Sequence, residues 1–388
     1  MTTFWRCLLW VQSLLGTGHL RRALLLAEAL ATRGAAVVLV NGGPTGPWPV
    51  PAGVELVQLP AVTAKRTDFG SLIDETGAPV SPALRAARRE RLLDLFRTIR
   101  PQAVVTEMFP FGRRAFRDEL LPLLEAAREQ RPCPIVAASV RDVLVSKPDP
   151  ARYRWMAELT LAHYDRVLVH GDERLLPFAA SFPLAASLGE RVVHTGFVRP
   201  ILPQAEVLEA PAVLVSAGGG AVGERLLRTA LAARSLTRLR DGLWLLAAGQ
   251  NLPEVDFAAL RAEADPGCTI VRWRDDLGSL MGCCRVSVSQ AGYNTVVEGL
   301  TAGARMVLVP FASGNEDEQT RRARRLEELG LAELVEEDRI EPRALAAAID
   351  RAAARPRPAI GYWSFDGAAR SAAILAALVE ERHGVGAA

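Results

Sequence analysis

Short apolar runs alternate with amphipathic helical patterns along most of the chain. Alternation of this kind predicts βαβ units and parallel sheets, so we expect an α/β fold. In the first half the predicted strands are residues 8–14, 37–40, 54–59, 103–106, 135–139 and 166–169. In the second half they are residues 212–216, 243–247, 269–271, 286–288 and 306–309.

A proline-containing segment separates the two series of predicted strands. Residues 195–211 include Pro200, Pro203 and Pro211, and the length of 388 residues suits two domains. We therefore predict a first domain over residues 1–198, a linker over 199–211, a second domain over 212–363 and a C-terminal helix and tail over 364–388. Residues 61–82 are polar and aperiodic, which predicts a long loop over the active face.

Glycine turns follow three of the predicted strands. Each can present backbone N–H groups to an anion, and two of them lead into a helix whose N-terminus favours negative charge. The residues of the three turns are Gly16 and Gly18; Ser216, Gly218, Gly219 and Gly220; and Gln290, Gly292, Asn294 and Thr295. In the third turn, Asn294 or Thr295 is expected to cap the helix, with Glu298 about one turn further on.

The second turn also contains a GxGxxG pattern that is typical of dinucleotide-binding folds. The acidic residue that NAD requires is missing, because Ala248, Gly249 and Gln250 follow the next strand. We therefore expect these N–H groups to contact a diphosphate, with a turn that serves packing alone as the alternative.

The third turn and the strand after it resemble the donor half of nucleotide-sugar glycosyltransferases built from two Rossmann domains, the GT-B fold. The resemblance is strongest to the family that contains the lipid-linked N-acetylglucosaminyl transferase of peptidoglycan synthesis. It implies two Rossmann-like parallel-sheet domains facing a cleft, a C-terminal helix that crosses back to the first domain, and a UDP-sugar bound by the second domain. The matching residues are Gly292, Thr295, Glu298, Pro310, Phe311 and Gln319.

Further donor contacts follow from the same resemblance. Glu298 is expected to bind the ribose hydroxyls, although a lone glutamate on a helix is more often solvated. Glu318 and Gln319 are expected at the same edge, or else on an exposed charged helix. Trp273 and Arg274 open a turn that in the resembling family presents backbone groups to uracil, while Asp275 or Asp276 can equally be a helix N-cap.

Three residues are candidates for the catalytic base. His19 stands at a predicted helix N-terminus, where the helix dipole disfavours the cationic ring and leaves it able to accept a proton. Glu107 and Asp142 follow predicted strands, at the sheet edge where ligands bind in parallel α/β folds. The alternatives are a capping or phosphate-binding role for His19, and salt bridges to Arg113, Arg114 or Arg141 for the carboxylates.

Composition narrows the function further. The 46 basic and 44 acidic residues leave a net charge of +2, which does not favour nucleic-acid binding. Five cysteines without metal-ligand spacing favour a reducing, cytoplasmic location.

We interpret the apolar N-terminal run as a first strand rather than a signal peptide, and no apolar run reaches the ~20 residues of a membrane span. The helix predicted from residue 82 to 100 has a basic face, which leaves peripheral membrane contact open.

The sequence therefore predicts a glycosyltransferase that uses a UDP-sugar and is similar to hexosyltransferases. No Asp-x-Asp pattern follows a strand, so we expect metal-independent chemistry without a cofactor; inversion at the anomeric carbon is implied by the resemblance alone. The acceptor is a small molecule, a lipid-linked sugar or a glycan. The N-terminal glycine turn is also similar to that of UDP-sugar hydrolases and epimerases, which are alternative functions, as is a nucleotide-sugar-binding protein without catalysis.

Overall fold

The computed structural model describes residues 5–14, 16–65, 68–147, 149–199, 210–219, 223–312, 317–359 and 361–384. The chain divides into two compact units. Unit 1 comprises Met1–Arg199 and Ser364–Ala388, and unit 2 comprises Pro200–Trp363.

Unit 1 is built on a seven-stranded sheet in which all neighbouring strands run parallel, in the order β3-β2-β1-β6-β7-β8-β9. A separate antiparallel pair, β4 and β5, lies within the segment predicted as a long loop. The strands are β1 (Trp5–Val11), β2 (Ala35–Asn41), β3 (Val54–Gln58), β4 (Thr63–Lys65), β5 (Asp68–Ile73), β6 (Ala103–Glu107), β7 (Ile135–Arg141), β8 (Arg166–His170) and β9 (Val192–His194).

Unit 2 contains a six-stranded parallel sheet in the order β12-β11-β10-β13-β14-β15. This is the Rossmann order, in which the first strand of the unit lies in the middle of the sheet beside the fourth. The strands are β10 (Val213–Ser216), β11 (Trp244–Ala247), β12 (Cys268–Val271), β13 (Val286–Ser289), β14 (Met306–Leu308) and β15 (Ala332–Leu334).

Helices connect the strands of both sheets. The α-helices are α1 (Gly18–Thr32), α2 (Pro82–Ile99), α3 (Arg117–Glu129), α4 (Pro150–His163), α5 (Glu224–Arg234), α6 (Glu254–Glu263), α7 (Leu277–Cys283), α8 (Tyr293–Thr301), α9 (Glu318–Glu328), α10 (Pro342–Ala354) and α11 (Gly367–His383). Short 3-10 turns cover Arg114–Phe116, Phe178–Ala180, Ala185–Arg191 and Glu337–Arg339.

Local sequence explains how several of these elements form. The central strands are apolar on both faces because helices cover both sides of a parallel sheet, and all five residues of β6 are buried. In α1 the buried positions include Leu20, Ala23, Leu24 and Ala27, a spacing that gives the helix one apolar face. At the start of α2, the Ser81 side chain accepts a hydrogen bond from the Leu84 N–H.

The C-terminal helix α11 belongs to unit 1. Its buried Leu375 and Val379 join the cluster that the inner faces of β1 and α1 form. At its first residue, Gly367, the backbone N–H donates to the Phe197 carbonyl at 3.0 Å. A Cβ at Gly367 would lie 2.3 Å from the Gly196 carbonyl oxygen, so only glycine allows this close approach.

The α/β class and the doubly wound parallel sheets agree with the sequence prediction, while several details differ from it. The predicted loop over residues 61–82 contains the β4–β5 pair and ends where α2 begins. The first strand lies earlier than predicted, at Trp5–Val11, and β9 and β15 were not predicted. β9 and β15 are only three residues long, which is too short for a recognisable period.

Within the described ranges, no helix is both long enough and apolar enough to cross a membrane.

Candidate functional site

The middle of the unit 2 sheet is a topological switch point. β10 and β13 lie side by side there, and the register pairs their last residues, Ser216 with Ser289. The connections that leave these two strands run to opposite sides, which opens a crevice at their carboxyl ends where ligands of doubly wound sheets bind. Two of the glycine turns predicted from sequence therefore begin next to each other.

The turn after β10 has a backbone shape that glycine favours. Gly218 has φ +59°, and its N–H donates to the Ser216 hydroxyl at 3.3 Å. The Gly219 carbonyl accepts from the Asn251 N–H at 3.1 Å, which ties the turn to the one after β11. The predicted contribution of Gly220 lies outside the described residues.

The turn after β13 leads from half-buried Gln290 to the N-terminus of α8. Gly292 is the N-cap, and we find no side-chain cap bond at this end of the helix among the described residues. The expectation that Asn294 or Thr295 caps α8 is therefore wrong, because both already lie in its first turn. Gly292 has φ −63°, and an added Cβ would have no described atom within 4 Å. Among the described residues, neither backbone strain nor packing requires glycine here, and the space beside the Cα of Gly292 is open.

Buried polar side chains lie behind this turn. Glu298 is buried in α8. Glu318, the first residue of α9, is also buried, and the Gln319 side-chain oxygen accepts a hydrogen bond from the Phe311 N–H at 3.1 Å. The expectation of an exposed charged helix fails for this end of α9. The structure therefore places Glu298 on the helix that follows the glycine turn, and Gln319 against the chain that leaves β14.

Arg322 is a residue of this region that the sequence analysis missed. It is fully buried, and its guanidinium donates to the Ala291 carbonyl at 2.6 Å. The same guanidinium lies 6.0 Å from the centre of the Tyr293 ring. A buried cation is thus held beside the turn that precedes α8. The sequence signal for the burial of Arg322 was its helical spacing, which places it on the same face of α9 as the buried residues Glu318, Ala323 and Leu326.

The turn at Trp273 and Arg274 is held by two local contacts. The Trp273 indole N–H donates to Asp275 at 2.6 Å, and Arg274 forms two hydrogen bonds with the Asp276 carboxylate at 2.7 and 2.6 Å. Asp276 occupies the N-cap position of α7, but its side chain makes no cap bond with described residues. The alternative that one of these aspartates is the N-cap is therefore confirmed in position for Asp276, without the side-chain hydrogen bond of a cap.

The unit 1 sheet has its own switch point between β1 and β6, which pair from Cys7 with Ala103 to Trp10 with Thr106. The chain leaves β1 and passes Gly16 before α1 begins at Gly18, without a side-chain cap bond among the described residues. A Cβ at Gly16 would meet no described atom within 4 Å. His19 is the second residue of α1, and Glu107 is the last residue of β6.

His19 and Glu107 form a hydrogen-bonded pair at this switch point. The distance from His19 Nδ1 to Glu107 Oε1 is 2.9 Å, and the two side chains are 16% and 1% exposed. A carboxylate can only accept, so the ring proton is on Nδ1 and the free Nε2 is the proton acceptor of the ring. Glu107 therefore orients the histidine and selects its tautomer.

The buried Arg22 stabilises the carboxylate of this pair and was missed by the sequence analysis. It lies one turn after His19 on α1, and its guanidinium also bonds Glu107 Oε1. Burial disfavours the charge of Glu107, but contacts with His19 and Arg22 outweigh this effect and keep the pKa of the carboxyl below its ordinary value. Glu107 is thus an anion, its salt bridge is to Arg22, and the nearby charge of Arg113 also favours its ionised form.

Burial also lowers the pKa of His19, against the opposing charge of Glu107, and the nearby guanidinium of Arg113 lowers it further. The ring is therefore neutral near pH 7 and can accept a proton.

Asp142 and His170 follow on the next two strands. Asp142 comes directly after β7 and is buried; its carboxylate accepts from the Val143 N–H at 2.9 Å. His170 ends β8, and its two ring nitrogens contact the hydroxyls of Ser139 at 2.8 Å and Thr195 at 2.9 Å. Burial and the charge of Arg22 lower the pKa of His170 to about 3. Both ring nitrogens of His170 are engaged, whereas the hydrogen bonds of His19 to described residues involve Nδ1 and leave Nε2 for a proton.

Comparison with known proteins agrees with the architecture. Residues 213–359, which form most of unit 2, match the glycosyltransferase family 28 C-terminal domain. The chain is 30% identical over 202 residues to the UDP-N-acetylglucosamine--N-acetylmuramyl-(pentapeptide) pyrophosphoryl-undecaprenol N-acetylglucosamine transferase of Rhodospirillum centenum. That match covers 46% of this chain and 52% of the relative, so the chain spans about half the length of the relative it matches.

Two solved structures share the fold over nearly the whole chain. MurG of Acinetobacter baumannii has a TM-score of 0.59 at 18% identity, covering 95% of this chain and 99% of MurG. The calicheamicin glycosyltransferase CalG4 has a TM-score of 0.61 at 19% identity, covering 98% and 95% of the two chains. The resemblance predicted from sequence is confirmed: unit 2 carries a glycosyltransferase family 28 C-terminal domain, and the chain has the two-Rossmann-domain GT-B fold of these glycosyltransferases.

Proposed function

We propose that this protein is a glycosyltransferase that moves a sugar from a UDP-sugar to a hydroxyl group of an acceptor. The observation that carries the proposal is the His19–Glu107 pair, which supplies an oriented, neutral base at the switch point of the unit 1 sheet. The choice of donor is supported by the family 28 domain of unit 2 and by the UDP-N-acetylglucosamine for which the R. centenum relative is named.

Unit 1 serves the acceptor in this proposal. His19 Nε2 takes the proton of the acceptor hydroxyl while its oxygen attacks the anomeric carbon and the bond to UDP breaks. The imidazolium formed at His19 is stabilised by the Glu107 carboxylate, which Arg22 keeps ionised. A single displacement of this kind inverts the anomeric centre. Because Glu107 lies behind Nδ1 and bonds Arg22, its role is to position His19, and Asp142 is an alternative base only.

Unit 2 serves the donor. We assign the diphosphate to the N–H groups of the turn at Gly218 and Gly219 and of the α8 N-terminus behind Gly292. The buried charge of Arg322 beside that N-terminus favours the negative leaving group. Glu298 would accept hydrogen bonds from the ribose hydroxyls, and the turn at Trp273 and Arg274 would contact the uracil.

The decisive experiment for the activity is a screen of the purified full-length chain. The protein is incubated with a panel of UDP-sugars and hydroxyl-bearing acceptors, and released UDP and glycosylated product are measured together. Glycoside formation supports the proposal. UDP binding without any turnover would instead indicate a non-catalytic nucleotide-sugar-binding protein, and a changed sugar that remains attached to UDP would indicate an epimerase.

Transfer should persist when divalent cations are removed. The leaving diphosphate is assigned to backbone N–H groups and Arg322, so its charge is neutralised without a cation. We expect the rate of product formation in excess EDTA to equal the rate with magnesium within about twofold. Loss of activity in EDTA that magnesium restores would contradict this assignment.

An acceptor should accelerate UDP release. In a transferase the base is placed to serve the acceptor hydroxyl, so water in its place reacts slowly. We expect slow UDP release from the donor alone and faster release when a suitable acceptor is added, with UDP and glycoside formed in equal amounts. Rapid release of free sugar that no acceptor changes would favour a UDP-sugar hydrolase.

A further inference from the structure

A concave surface lies at the edge of the unit 2 sheet where the strands begin. It has a volume of about 610 Å³ and is lined by Arg285, Arg305 and Arg357 together with Cys283 and residues before β10 and β11. Arg285 directly precedes β13 and Arg305 directly precedes β14. Because neighbouring strands of this sheet are parallel, this edge is opposite the one that carries the proposed donor site. We call this surface the arginine pocket.

The three guanidinium groups lie close enough to repel one another. Burial lowers the pKa of Arg305, and the charges of Arg357 and Arg285 lower it further. In the described part of the chain, Glu333 on the adjacent strand β15 pairs with Arg351 and Arg355, and none of the three arginines of the pocket forms a salt bridge with a carboxylate. Like charges are thus gathered around an open cavity, and the described part of the chain places no salt-bridged carboxylate among them.

Hydrogen bonds to carbonyl groups account for part of this arrangement. Arg357 donates to the carbonyls of Cys284 at 2.7 Å and Gly303 at 3.3 Å, at the ends of α7 and α8. Arg305 Nε donates to the Arg355 carbonyl at 2.6 Å, at the end of α10. Arginines at helix C-termini often bind carbonyls in this way. The contacts hold two of the guanidiniums in place but leave the terminal nitrogens of Arg305 and the exposed Arg285 to a ligand.

We propose that the arginine pocket binds a small phosphate-bearing anion of the diphosphate class, at a site separate from that of the UDP-sugar. The planar guanidinium matches phosphate oxygens with two parallel hydrogen bonds, and a bound anion removes the repulsion among the three cations. The volume of the pocket lies within the range of small-molecule sites. The proposal does not depend on the activity of the protein.

Inorganic pyrophosphate is the probe for this site. Its binding to the full chain is measured by calorimetry at low salt, with and without excess UDP, which separates the arginine pocket from the donor site. We expect Arg285→Gln to weaken pyrophosphate binding about tenfold, and Arg285→Gln with Arg305→Gln about 100-fold. Arg261→Gln, an exposed arginine on α6 of the same unit, is the matched control and should change the affinity less than about twofold. Arg357 is left intact because it also bonds two backbone carbonyls.

Cys283 reports the location of binding directly. It is exposed and lines the arginine pocket, whereas Cys133 lies in unit 1 and is half-buried. We expect pyrophosphate to slow alkylation of Cys283 by N-ethylmaleimide, read by peptide mass spectrometry, and to leave the rate at Cys133 unchanged. The Arg285→Gln, Arg305→Gln variant should lose this protection.

Two results would overturn the proposal. One is pyrophosphate binding that excess UDP abolishes and that leaves Cys283 unprotected, since the probe then occupies the donor site alone. The other is an arginine-dependent association with vesicles of anionic phospholipid without saturable pyrophosphate binding, which would make this edge a membrane contact. The circular dichroism spectrum and Tm of each variant must match those of the wild type, so that loss of binding is not loss of fold.

Discussion

Replacing His19 with alanine is expected to lower the transfer rate ~10²–10⁴-fold, the usual contribution of a general base. The affinity for UDP should stay nearly unchanged, because His19 is assigned to the acceptor proton and UDP to unit 2. Turnover is measured as glycoside formed, and UDP affinity by calorimetry on the same preparation. His163→Ala is the matched control, because His163 lies at the end of α4, away from Glu107, and should leave the rate unaltered.

Glu107→Gln tests how the pair works. The amide is nearly the size of the carboxylate, yet it carries no charge and can present an N–H to the ring. That N–H would favour the tautomer whose proton is on Nε2, the nitrogen needed as the base. We therefore expect a loss close to that of His19→Ala, and little further loss in the double variant because the two side chains act as one unit. Additive losses would show that Glu107 acts independently of His19.

The pH dependence follows from the same pair. Burial lowers the pKa of His19 against the opposing charge of Glu107, so the neutral base persists below pH 6.5, the ordinary midpoint of histidine. As pH falls, activity is lost only when His19 becomes protonated, at a pH below that midpoint. We expect kcat/KM to be constant from pH 8 down to about 6.5. An acid limb with its midpoint above pH 7 would contradict His19 as the base.

The His19→Ala variant has two further informative outcomes. An unchanged transfer rate would transfer the role of the base to Asp142, whereas a lost affinity for UDP would assign His19 to phosphate binding.

Replacing Glu298 with alanine is expected to weaken UDP and UDP-sugar binding alike by ~1.5–3 kcal/mol, the value of hydrogen bonds to a charged group. This corresponds to roughly a 10–140-fold increase in Kd. Both ligands contain the ribose whose hydroxyls are assigned to the carboxylate, so the sugar should not matter. Calorimetry with UDP and with an intact UDP-sugar measures the two values.

Controls separate a lost contact from a disturbed helix. Glu298 is buried, so the Tm of the variant must be compared with that of Glu298→Gln, which keeps the volume and removes the charge. The surface control is Glu328→Ala on α9, whose exposed pair with Arg325 should contribute little. Unchanged UDP affinity in folded Glu298→Ala would remove this residue from the donor site. If the variant loses affinity for the UDP-sugar but not for UDP, Glu298 contacts the transferred sugar rather than the ribose.

Much of the unit 2 site could be predicted from local sequence. The β-branched run before Gln290, the glycine at 292 and the helix that carries Glu298 lie within 13 residues, so strand, turn and helix are encoded in one short segment. The exact start of α8 could not be predicted. Asn294 and Thr295 are good N-cap residues in isolation, yet the helix begins at Tyr293. Tyr293 is buried against the core, so tertiary packing overrode the capping preference.

Buried charges were harder to predict than glycine turns. Arg22 and Arg322 each follow an arginine that is only half-buried, Arg21 and Arg321. The helical spacing indicates which face of each helix is buried, but it does not indicate what balances a charge on that face. What makes their burial possible is a partner from a distant segment: the Glu107 carboxylate for Arg22 and the Ala291 carbonyl for Arg322. A guanidinium is buried only where such acceptors meet it.

The sequence by itself determined the α/β class, the two series of strands and the glycine turns, because each depends on residues a few positions apart. Only the tertiary structure decided which strands are neighbours. β1 lies beside β6, and this brings together His19 and Glu107, which are 88 positions apart in the chain. From the sequence, His19 was the leading candidate for the base and Glu107 and Asp142 were alternatives; the pairing of β1 with β6 makes Glu107 the hydrogen-bond partner of His19. The pairing of parallel strands is set by how helices and sheet pack around a shared core, and the hydrophobic period of a single strand carries no information about its neighbour.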